Sequence, residues 1–391
     1  MISLSKLVCG ASQWSDGLRY GNEPDASAPP DPAEVRPVVV FNTTRRCNLK
    51  CKHCYAAATC GPVSGELSTD EALGVLDDLA AFGCPVVLFF GGEPLLRPDL
   101  PELISCAAEA GLRTVVSTNG TLMTEELAGK LGEVGLHYAG ISLDGLEAAH
   151  DAFRGRKGAF AAALTGMRRA MQAGVKVGLR MTLNKHNVGD IDGIFDLIAR
   201  EGIPRVCFYH LVYSGRGSDM RGDDLSRRQT RATMDLLIDR TAALHRIGRD
   251  VEVLTVDNHA DGPYVYMHLQ RTDPPAAEEC MTLLKRNGGN RSGIAIGCVT
   301  ATGDVLADQF WRDRAVGNVR ERPFSEIWSD PAQPLLAKLR DRRKYLGPRC
   351  LNCRWLDVCN GNFRARAEAA TGDPWGDDPA CYLKDEEIAI I

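Results

Sequence analysis

Residues 37–212 alternate strand-like apolar runs with helical segments, and this alternation constrains the fold more than any other feature of the chain. Strands that alternate with helices in this way predict parallel βαβ units with right-handed crossovers. The spacing favours an α/β fold with a curved sheet, a partial (β/α)6 TIM-type barrel. We expect its strands at Val38–Phe41, Pro85–Phe90, Arg113–Thr118, Tyr138–Leu143, Lys176–Leu183 and Arg205–His210.

Helical segments lie between these strands. The run Ser68-Thr69-Asp70-Glu71 has the form of a capping box before the helix Ala72–Phe82, and Gly83 can end that helix. Further helices are expected near Pro98–Ala110, Thr124–Val134, Phe160–Ala173 and Val188–Arg200.

The length of 391 residues predicts a large domain plus a smaller one. Residues 1–36 are rich in Pro and Asp and are expected to form a loosely structured lead-in to the barrel core at 37–212. Residues 213–292 read as a helical connector, with helices at Asp224–Ile247 and Glu278–Asn287. The smaller C-terminal domain, residues 293–391, is expected to begin with a hairpin of Gly293–Cys298 and Asp304–Gln309.

Composition indicates a cytoplasmic enzyme with reduced thiols. The N-terminus lacks the apolar core of a signal peptide, and no apolar run reaches the ~18 residues of a membrane span. Fourteen cysteines in such a chain indicate metal ligands rather than disulfides. A net charge of −5 and a pI near 6.0 argue against a general nucleic-acid binder.

Three cysteines, Cys47, Cys51 and Cys54, are spaced C-x3-C-x2-C just after the first expected strand. Reactive groups in parallel sheets gather at the C-terminal ends of strands, which is where this loop falls. Three thiolates are one short of what a cubane iron–sulfur cluster needs, so one iron would keep an open site. A zinc site completed by His53 or Cys60 is the alternative.

A second group, Cys350, Cys353, Cys359 and Cys381, has the spacing C-x2-C-x5-C with a distant fourth cysteine. Four ligands satisfy one further cluster completely. This predicts electron transfer or structural support rather than substrate ligation. Zinc is again the alternative.

Further motifs stand at successive strand ends. They are Phe90-Gly91-Gly92-Glu93-Pro94, Ser117-Thr118-Asn119-Gly120 and Ile141-Ser142-Leu143-Asp144-Gly145, with Arg180 in the fifth strand. Together with the three-cysteine loop and Tyr55 behind it, this set resembles the radical S-adenosylmethionine (SAM) enzymes. The resemblance implies a 4Fe–4S cluster with an open site for SAM. The implied SAM contacts are Tyr55, Gly91, Gly92, Glu93, Ser117, Asn119, Ser142, Asp144 and Arg180.

Each implied contact has a chemical rationale. Glu93 can accept from the SAM amine, and Arg180 can balance its carboxylate. Serine and asparagine side chains suit ribose hydroxyls, and the backbone near Tyr55 suits adenine. The bound pair supplies a 5′-deoxyadenosyl radical, while the protein orients it and excludes quenching.

The C-terminal region resembles the SPASM/twitch extension of radical SAM enzymes, which implies auxiliary iron–sulfur ligation. A full SPASM domain carries two auxiliary clusters, but Asp308 and Phe363 occupy two positions where cysteines are expected. We therefore expect one auxiliary 4Fe–4S cluster, with Cys298 unligated.

Long strings over nearly the whole chain resemble the radical SAM enzymes that trim siroheme-derived tetrapyrroles. They include IPRVCFYHLVYSGRGS, ADQFWR, GNVRERPFSEIW and CRWLDVCNGNFRARAEAATGDPW. The likeness is strongest to 12,18-didecarboxysiroheme deacetylases of haem biosynthesis, followed by haem d1 biosynthesis enzymes acting on propionates. One departure is Leu306, where the group often carries a histidine.

The resemblance implies removal of two acetate side chains from an iron isobacteriochlorin. A hydrogen atom would be abstracted at the acetate methylene or nearby, followed by carbon–carbon cleavage and quenching of a ring-side radical by an electron and a proton. Candidate catalytic residues are His210 and His259. Further candidates for contacts with a flat, carboxylate-rich substrate are Tyr209, Tyr213, Tyr264, Trp311, Arg216 and Arg221.

The expected partners are the tetrapyrrole and an electron donor of ferredoxin or flavodoxin type. Two other functions stay open at this point. One is a peptide-modifying SPASM enzyme, although the N-terminal lead-in is short for a peptide-recognition domain. The other is a non-catalytic iron–sulfur electron carrier, which would not need the strand-end SAM motifs.

Overall fold

The computed structural model describes residues 1–21, 32, 34–61 and 63–390, and its strands form a single sheet. From one edge to the other the order is β1-β8-β7-β6-β5-β4-β3-β2-β9-β10-β11. The strands are β1 (Ile2–Ser3), β2 (Val38–Thr44), β3 (Val86–Gly91), β4 (Arg113–Thr118), β5 (Tyr138–Ser142), β6 (Lys176–Leu183), β7 (Arg205–His210), β8 (Glu252–Val256), β9 (Ile296–Val299), β10 (Asp304–Leu306) and β11 (Gly317–Asn318).

Strands β2 to β8 lie side by side in chain order and are all parallel. The six expected strands are present, and the predicted α/β fold with an open, partial barrel is confirmed. Strand β8 was not expected from the sequence. It lies within residues 213–292, which were predicted to form a helical connector. Its five residues are all buried, because β7 pairs with it on one side and β1 on the other.

Helices cover the strands of the parallel core. The helix after β2 begins with the expected capping box: Ser68 accepts from the Glu71 amide, and Gly83 ends the helix with a φ of 85°. The helices are α1 (Leu4–Cys9), α2 (Asp16–Tyr20), α3 (Thr69–Phe82), α4 (Leu100–Glu109), α5 (Glu125–Glu133), α6 (Glu147–Arg154), α7 (Ala159–Gln172), α8 (Ile191–Glu201), α9 (Arg227–Arg246), α10 (Asp261–Thr272), α11 (Pro274–Asn287), α12 (Phe324–Ser329), α13 (Pro334–Arg340), α14 (Pro348–Leu351), α15 (Leu356–Cys359), α16 (Arg364–Thr371) and α17 (Asp385–Ile388).

The first 20 residues are ordered, so the expected loose lead-in is wrong for them. Strand β1 pairs antiparallel with β8, and Leu4 of α1 is fully buried. The Ser5 hydroxyl donates to the Val251 carbonyl at 2.8 Å and accepts from the Val253 amide at 2.7 Å. This N-terminal cover protects the edge of β8 from other chains. The rest of the predicted lead-in includes residues 22–31 and 33, which lie outside the described residues.

The C-terminal region continues the same sheet. Strand β9 pairs parallel with β2, and β9 and β10 form the antiparallel hairpin expected from the sequence. Cys298 and Leu306 face each other across that hairpin and are both buried. Among the described residues, no helix is long and apolar enough to cross a membrane.

Candidate active site

A cavity with about 980 Å³ of empty space, which includes its opening to solvent, lies at the C-terminal ends of β2 to β8. Its lining comes from the ends of β3 to β7 and from the segments that follow β2 and β8, as the fold class predicts. Its lining includes all three cysteines of the first group and eight of the nine residues predicted to contact SAM. These are Cys47, Cys51, Cys54, Tyr55, Gly91, Gly92, Ser117, Asn119, Ser142, Asp144 and Arg180.

The two glycines of the second motif are required by close backbone packing. A Cβ on Gly92 would lie 2.1 Å from the Arg46 carbonyl oxygen, inside the cysteine loop. The Gly92 amide instead donates to the Thr44 carbonyl at 2.7 Å. The end of β3 can therefore approach the cysteine loop directly, which leaves backbone rather than side chains on this part of the cavity wall.

Glu93 is the exception among the predicted SAM contacts, because its side chain does not line the cavity. One carboxylate oxygen accepts from the Thr118 hydroxyl at 2.5 Å and the Leu95 amide at 3.2 Å. The other oxygen accepts from the Asn119 amide at 2.8 Å. Burial raises the pKa of Glu93, and these bonds offset part of that rise. Glu93 therefore ties the end of β3 to the end of β4, and its expected contact with the SAM amine has no support in this geometry.

The segment after β7 holds the cysteine loop in place. The Arg216 amide donates to the Cys54 carbonyl at 3.0 Å, and its guanidinium donates to the carbonyls of Cys51 and Ala58. Nη2 of Arg216 is buried without a partner in the described residues. Arg216 was expected at the rim of a substrate site; most of its donors instead support the loop.

A buried ion pair lies against the same loop. Its carboxylate, Asp144, was among the residues expected at the site, whereas its arginine was not. Arg154, the last residue of α6, pairs with Asp144 at 2.6 Å and donates to the Cys51 sulfur at 3.4 Å. Burial would raise the pKa of Asp144, but Arg154 and His53 hold it below its usual range. Burial lowers the pKa of His53 to about 4, so its ring is neutral near pH 7. No motif marks Arg154; only its place on α6 brings it to the thiol.

Other polar groups on the wall are available to a ligand. The Ser117 hydroxyl is buried and has no hydrogen-bond partner among the described residues. Arg180 lies 5.2 Å from the ring of Phe90 and 4.7 Å from that of Tyr209, and no described carboxylate pairs with it. An orphan hydroxyl, a buried cation and three thiols on one cavity fit a cluster with a bound, carboxylate-bearing nucleoside.

Part of the cavity wall is aromatic. Tyr55 packs 5.2 Å from both Phe90 and Phe310, and Tyr209 extends this surface. The Tyr55 hydroxyl donates to Asn42, whose amide in turn donates to the Cys298 sulfur at 3.4 Å. Cys298 is thus linked to the cavity wall by side chains and does not line the second cysteine site.

Of the two candidate catalytic histidines, only His210 lines the cavity. Its Nε2 lies 3.0 Å from Asp261. His259 is buried away from the cavity, where its amide donates to Asn362 and burial lowers the pKa of its ring far below the usual value. The expected substrate-side role of His259 is therefore not supported.

Asp257 is a second cavity residue that the sequence analysis missed. It follows β8 directly, has a left-handed φ of 67°, and lines the cavity beside His210. Burial raises its pKa to about 6. Its signal in the sequence was the short apolar run before it, which was not recognised as a strand.

Four other substrate candidates lie off the cavity. The Tyr213 hydroxyl donates to Asp224, and Arg221 lies over the Tyr213 ring and donates to the Ala369 carbonyl. The Tyr264 hydroxyl donates to Asp235. Trp311 is buried in the core. Phe310, its neighbour in the chain, reaches the cavity instead.

The second cysteine group surrounds a separate cavity of about 460 Å³. All four thiols line it, as the spacing predicted: Cys350, Cys353, Cys359 and Cys381. Among the described residues, no three His, Cys, Asp or Glu side chains converge closely enough to hold a single ion. The four thiols line one space, and four thiolates are the ligand set of a complete iron–sulfur cluster. Apolar walls, formed by Trp355, Leu356, Leu383 and Ile388, complete the site.

An open, partial barrel with three thiols and a set of buried polar side chains at its strand ends is the arrangement found in radical SAM enzymes. The Radical SAM superfamily profile matches residues 41–198, and an iron–sulfur cluster-binding SPASM domain matches residues 292–354. The chain belongs to the radical SAM family with a SPASM domain, and its cofactors are the open-site 4Fe–4S cluster, SAM and an auxiliary iron–sulfur cluster.

Relatives resemble the chain over nearly its full length. An Fe-coproporphyrin III synthase from Methanosarcina barkeri is 56% identical, with 99% of each chain covered. A pre-heme d1 synthase from Dinoroseobacter shibae is 42% identical, covering 89% of this chain and 86% of the relative. Among solved structures, Streptococcus suis SuiB bound to its precursor peptide SuiA has a TM-score of 0.70 at 17% identity, covering 92% of this chain and 76% of that one. The haem-biosynthesis resemblance is therefore confirmed at the level of the family, and the last likeness shows the fold alone.

Proposed function

We propose that this enzyme removes the two acetate side chains of 12,18-didecarboxysiroheme and so produces Fe-coproporphyrin III. The 56% identity over 99% of both chains to an enzyme named for that product carries the proposal. Coproporphyrins carry methyl and propionate side chains only, so a siroheme-derived precursor must lose its acetates to become one. The lower identity of 42% to a pre-heme d1 synthase makes propionate chemistry the second candidate.

The cavity supports a flat substrate that bears carboxylates. Its aromatic wall of Tyr55, Phe90, Tyr209 and Phe310 suits the face of a macrocycle. Arg180 has no carboxylate partner among the described residues and can bind a carboxylate of SAM or of the substrate.

Cys47, Cys51 and Cys54 would hold the SAM cluster, and Cys350, Cys353, Cys359 and Cys381 the auxiliary one. The backbone of Gly91 and Gly92 would meet the SAM amine, because it forms the wall where Glu93 is turned away. Ser117, Asn119 and Ser142 would contact ribose, and Arg154 with Asp144 would support Cys51. When bound, the cluster and SAM together supply a 5′-deoxyadenosyl radical.

The electron balance indicates where the substrate radical forms. A hydrogen atom is lost from the saturated ring carbon next to the carbon that bears the acetate. The bond between the acetate-bearing ring carbon and the acetate methylene can then break. A ring double bond forms, so the ring becomes closed-shell and the departing fragment carries the unpaired electron. One electron and one proton then convert the fragment to acetate. This places the quenched radical on the fragment, in contrast to the ring-side radical expected from the sequence.

The test is incubation of the reconstituted enzyme with a ferredoxin- or flavodoxin-type donor, SAM and 12,18-didecarboxysiroheme under anaerobic conditions. We expect two acetates and two 5′-deoxyadenosines for each Fe-coproporphyrin III. Loss of propionate groups instead supports the haem d1 candidate. Turnover of a precursor peptide, with none of any siroheme derivative, supports a peptide-modifying enzyme, and absence of 5′-deoxyadenosine with every substrate supports an electron carrier.

A further inference from the structure

Three hydrogen-bonded side chains connect the wall of the main cavity to the second cysteine site. His210 lines the cavity, and its Nε2 lies 3.0 Å from Asp261 Oδ2. The other carboxylate oxygen, Oδ1, accepts a 2.8 Å hydrogen bond from the Tyr382 hydroxyl. Tyr382 directly follows Cys381, one of the four thiols around the second cavity. We call this set of three residues the relay.

The relay is shielded from bulk water. His210 is 7% exposed, Asp261 0% and Tyr382 1%. A buried carboxylate persists only where donors satisfy it, and Asp261 has one on each oxygen. Asp261 also begins the 12-residue helix α10, where the helix dipole stabilises negative charge. A fixed carboxylate therefore holds the imidazole of His210 in one orientation.

We propose that the relay supplies the proton that converts the fragment radical to acetate after the fragment has left the tetrapyrrole. His210 donates this proton, and Asp261 and Tyr382 hold His210 in place. An ionised carboxylate only accepts hydrogen bonds, so His210 Nε2 carries a hydrogen directed at Asp261. The proton to be transferred is the second one of the cationic form of His210, carried by Nδ1, which has no hydrogen-bond partner among the described residues. His210 gives this proton to the carbon radical of the fragment while a one-electron iron–sulfur donor supplies the electron. The imidazole of His210 is then neutral. The inference rests on the proposed deacetylation.

The three residues have different roles. His210 is the catalytic residue, because it faces the cavity. Asp261 and Tyr382 are positioning residues: Asp261 orients the ring, and the Tyr382 hydroxyl holds Asp261. Because Tyr382 adjoins Cys381, the relay also couples the orientation of His210 to the second cysteine site. Asp257 is the competing acid on the cavity wall, but no described hydrogen-bond partner fixes its carboxyl.

The test compares 5′-deoxyadenosine with Fe-coproporphyrin III for the holoenzyme and the variants His210→Gln and Tyr382→Phe. General acids contribute on the order of 100- to 10,000-fold. We expect His210→Gln to form 5′-deoxyadenosine within about threefold of wild type while acetate release per 5′-deoxyadenosine falls at least ~10-fold. Tyr382→Phe should lower the same ratio by a smaller factor, with a lower kcat and an unchanged KM. Absorbance titration should give unchanged tetrapyrrole affinity for both variants.

Tyr264→Phe is the matched control. Its ring lies 5.4 Å from that of Tyr382, and its hydroxyl makes a 2.7 Å bond to Asp235 outside the relay. The substitution removes a similar hydrogen bond and should leave the product ratio unchanged. Turnover of wild type in D₂O should release acetate that carries one deuterium.

Several outcomes would overturn the relay. The first is an unchanged ratio of acetate to 5′-deoxyadenosine in folded His210→Gln and Tyr382→Phe. The second is acetate without deuterium, and the third is a fall in that ratio that appears only in Asp257→Asn. Each of these can occur while wild type still converts didecarboxysiroheme, so they contradict the relay alone. If wild type releases no acetate from didecarboxysiroheme, both the deacetylation and the relay are wrong.

Discussion

The two cysteine sites of this protein differ both in the number of their thiols and in the side chains around them. The first group of thiols opens onto a cavity of about 980 Å³ that also contains Ser117 and Arg180. The second group rings a cavity of about 460 Å³ with largely apolar walls. Three thiols leave one iron of a cubane free, and at the first site the Ser117 hydroxyl and Arg180 line the same cavity as those thiols. The comparison teaches that the missing fourth thiol and the polar side chains beside it together distinguish the first site from the second.

The strongest test of this difference removes a thiol from the first site. Cys51→Ala should lower 5′-deoxyadenosine formation at least ~1,000-fold, because SAM then has no cluster to bind. Iron content should fall by about four atoms per chain while the auxiliary cluster remains. Cys60→Ala is the control, since Cys60 is exposed near the same loop and does not line the cavity. Full activity of Cys51→Ala would show that the two sites have been assigned the wrong way round.

Removal of a thiol from the second site should have a different signature. Cys381→Ala should also lose about four iron atoms, yet SAM cleavage should stay within about tenfold of wild type. Tetrapyrrole conversion should fall further than SAM cleavage, because the second cysteine site holds Tyr382 and, through it, the His210 that quenches the fragment radical. Iron analysis and paired measurement of 5′-deoxyadenosine and product check this. An equal loss of both products would mean that the second site is needed for SAM cleavage itself.

A finer test concerns the charge beside Cys51. Arg154→Gln removes a cationic donor from the thiol, so the reduced cluster loses stabilisation. We expect its midpoint potential to become about 50–100 mV more negative, as measured by electron paramagnetic resonance during a redox titration. The double variant Arg154→Gln with Asp144→Asn avoids leaving a buried carboxylate unpaired and should show a similar shift. The auxiliary cluster's potential is the internal control. A shift confined to the auxiliary cluster would contradict the pairing of Arg154 with Cys51.

The last test concerns Asp257 on the cavity wall and measures stability rather than catalysis. Burial raises its pKa from 3.8 in the unfolded chain to about 6. The folded state therefore binds this proton more tightly, and stability is lost as pH rises between those values. Asp257→Asn should raise the free energy of unfolding by up to about 3 kcal/mol above pH 6 and change it little near pH 4. Asparagine also tolerates the left-handed backbone.

Denaturant unfolding at both pH values measures this effect, with the exposed Asp239→Asn as control. Equal stabilisation at the two pH values would show that Asp257 is not the titrating group.

Much of this site could be predicted because its signals are local. The three-cysteine loop and the strand-end motifs each lie within a few residues, and parallel strands bring their ends together. Strand β8 was missed because a five-residue run after a long helix carries little periodicity, and Asp257 was missed with it. The glycine motif also does not reveal that the Thr118 hydroxyl and the Asn119 amide donate to the Glu93 carboxylate.

The sequence by itself determined the family and the partial-barrel fold, because the motifs and the strand–helix alternation that indicate them lie within single segments of the chain. The tertiary structure alone decided which side chains meet. His210 and Asp261 are 51 positions apart, and Asp261 and Tyr382 are 121 apart. Arg154 reaches Cys51 across 103 positions. No local sequence pattern predicts such pairs. Each pair forms only when the packing of β7, α6, α10 and the C-terminal segment brings its two side chains within contact distance.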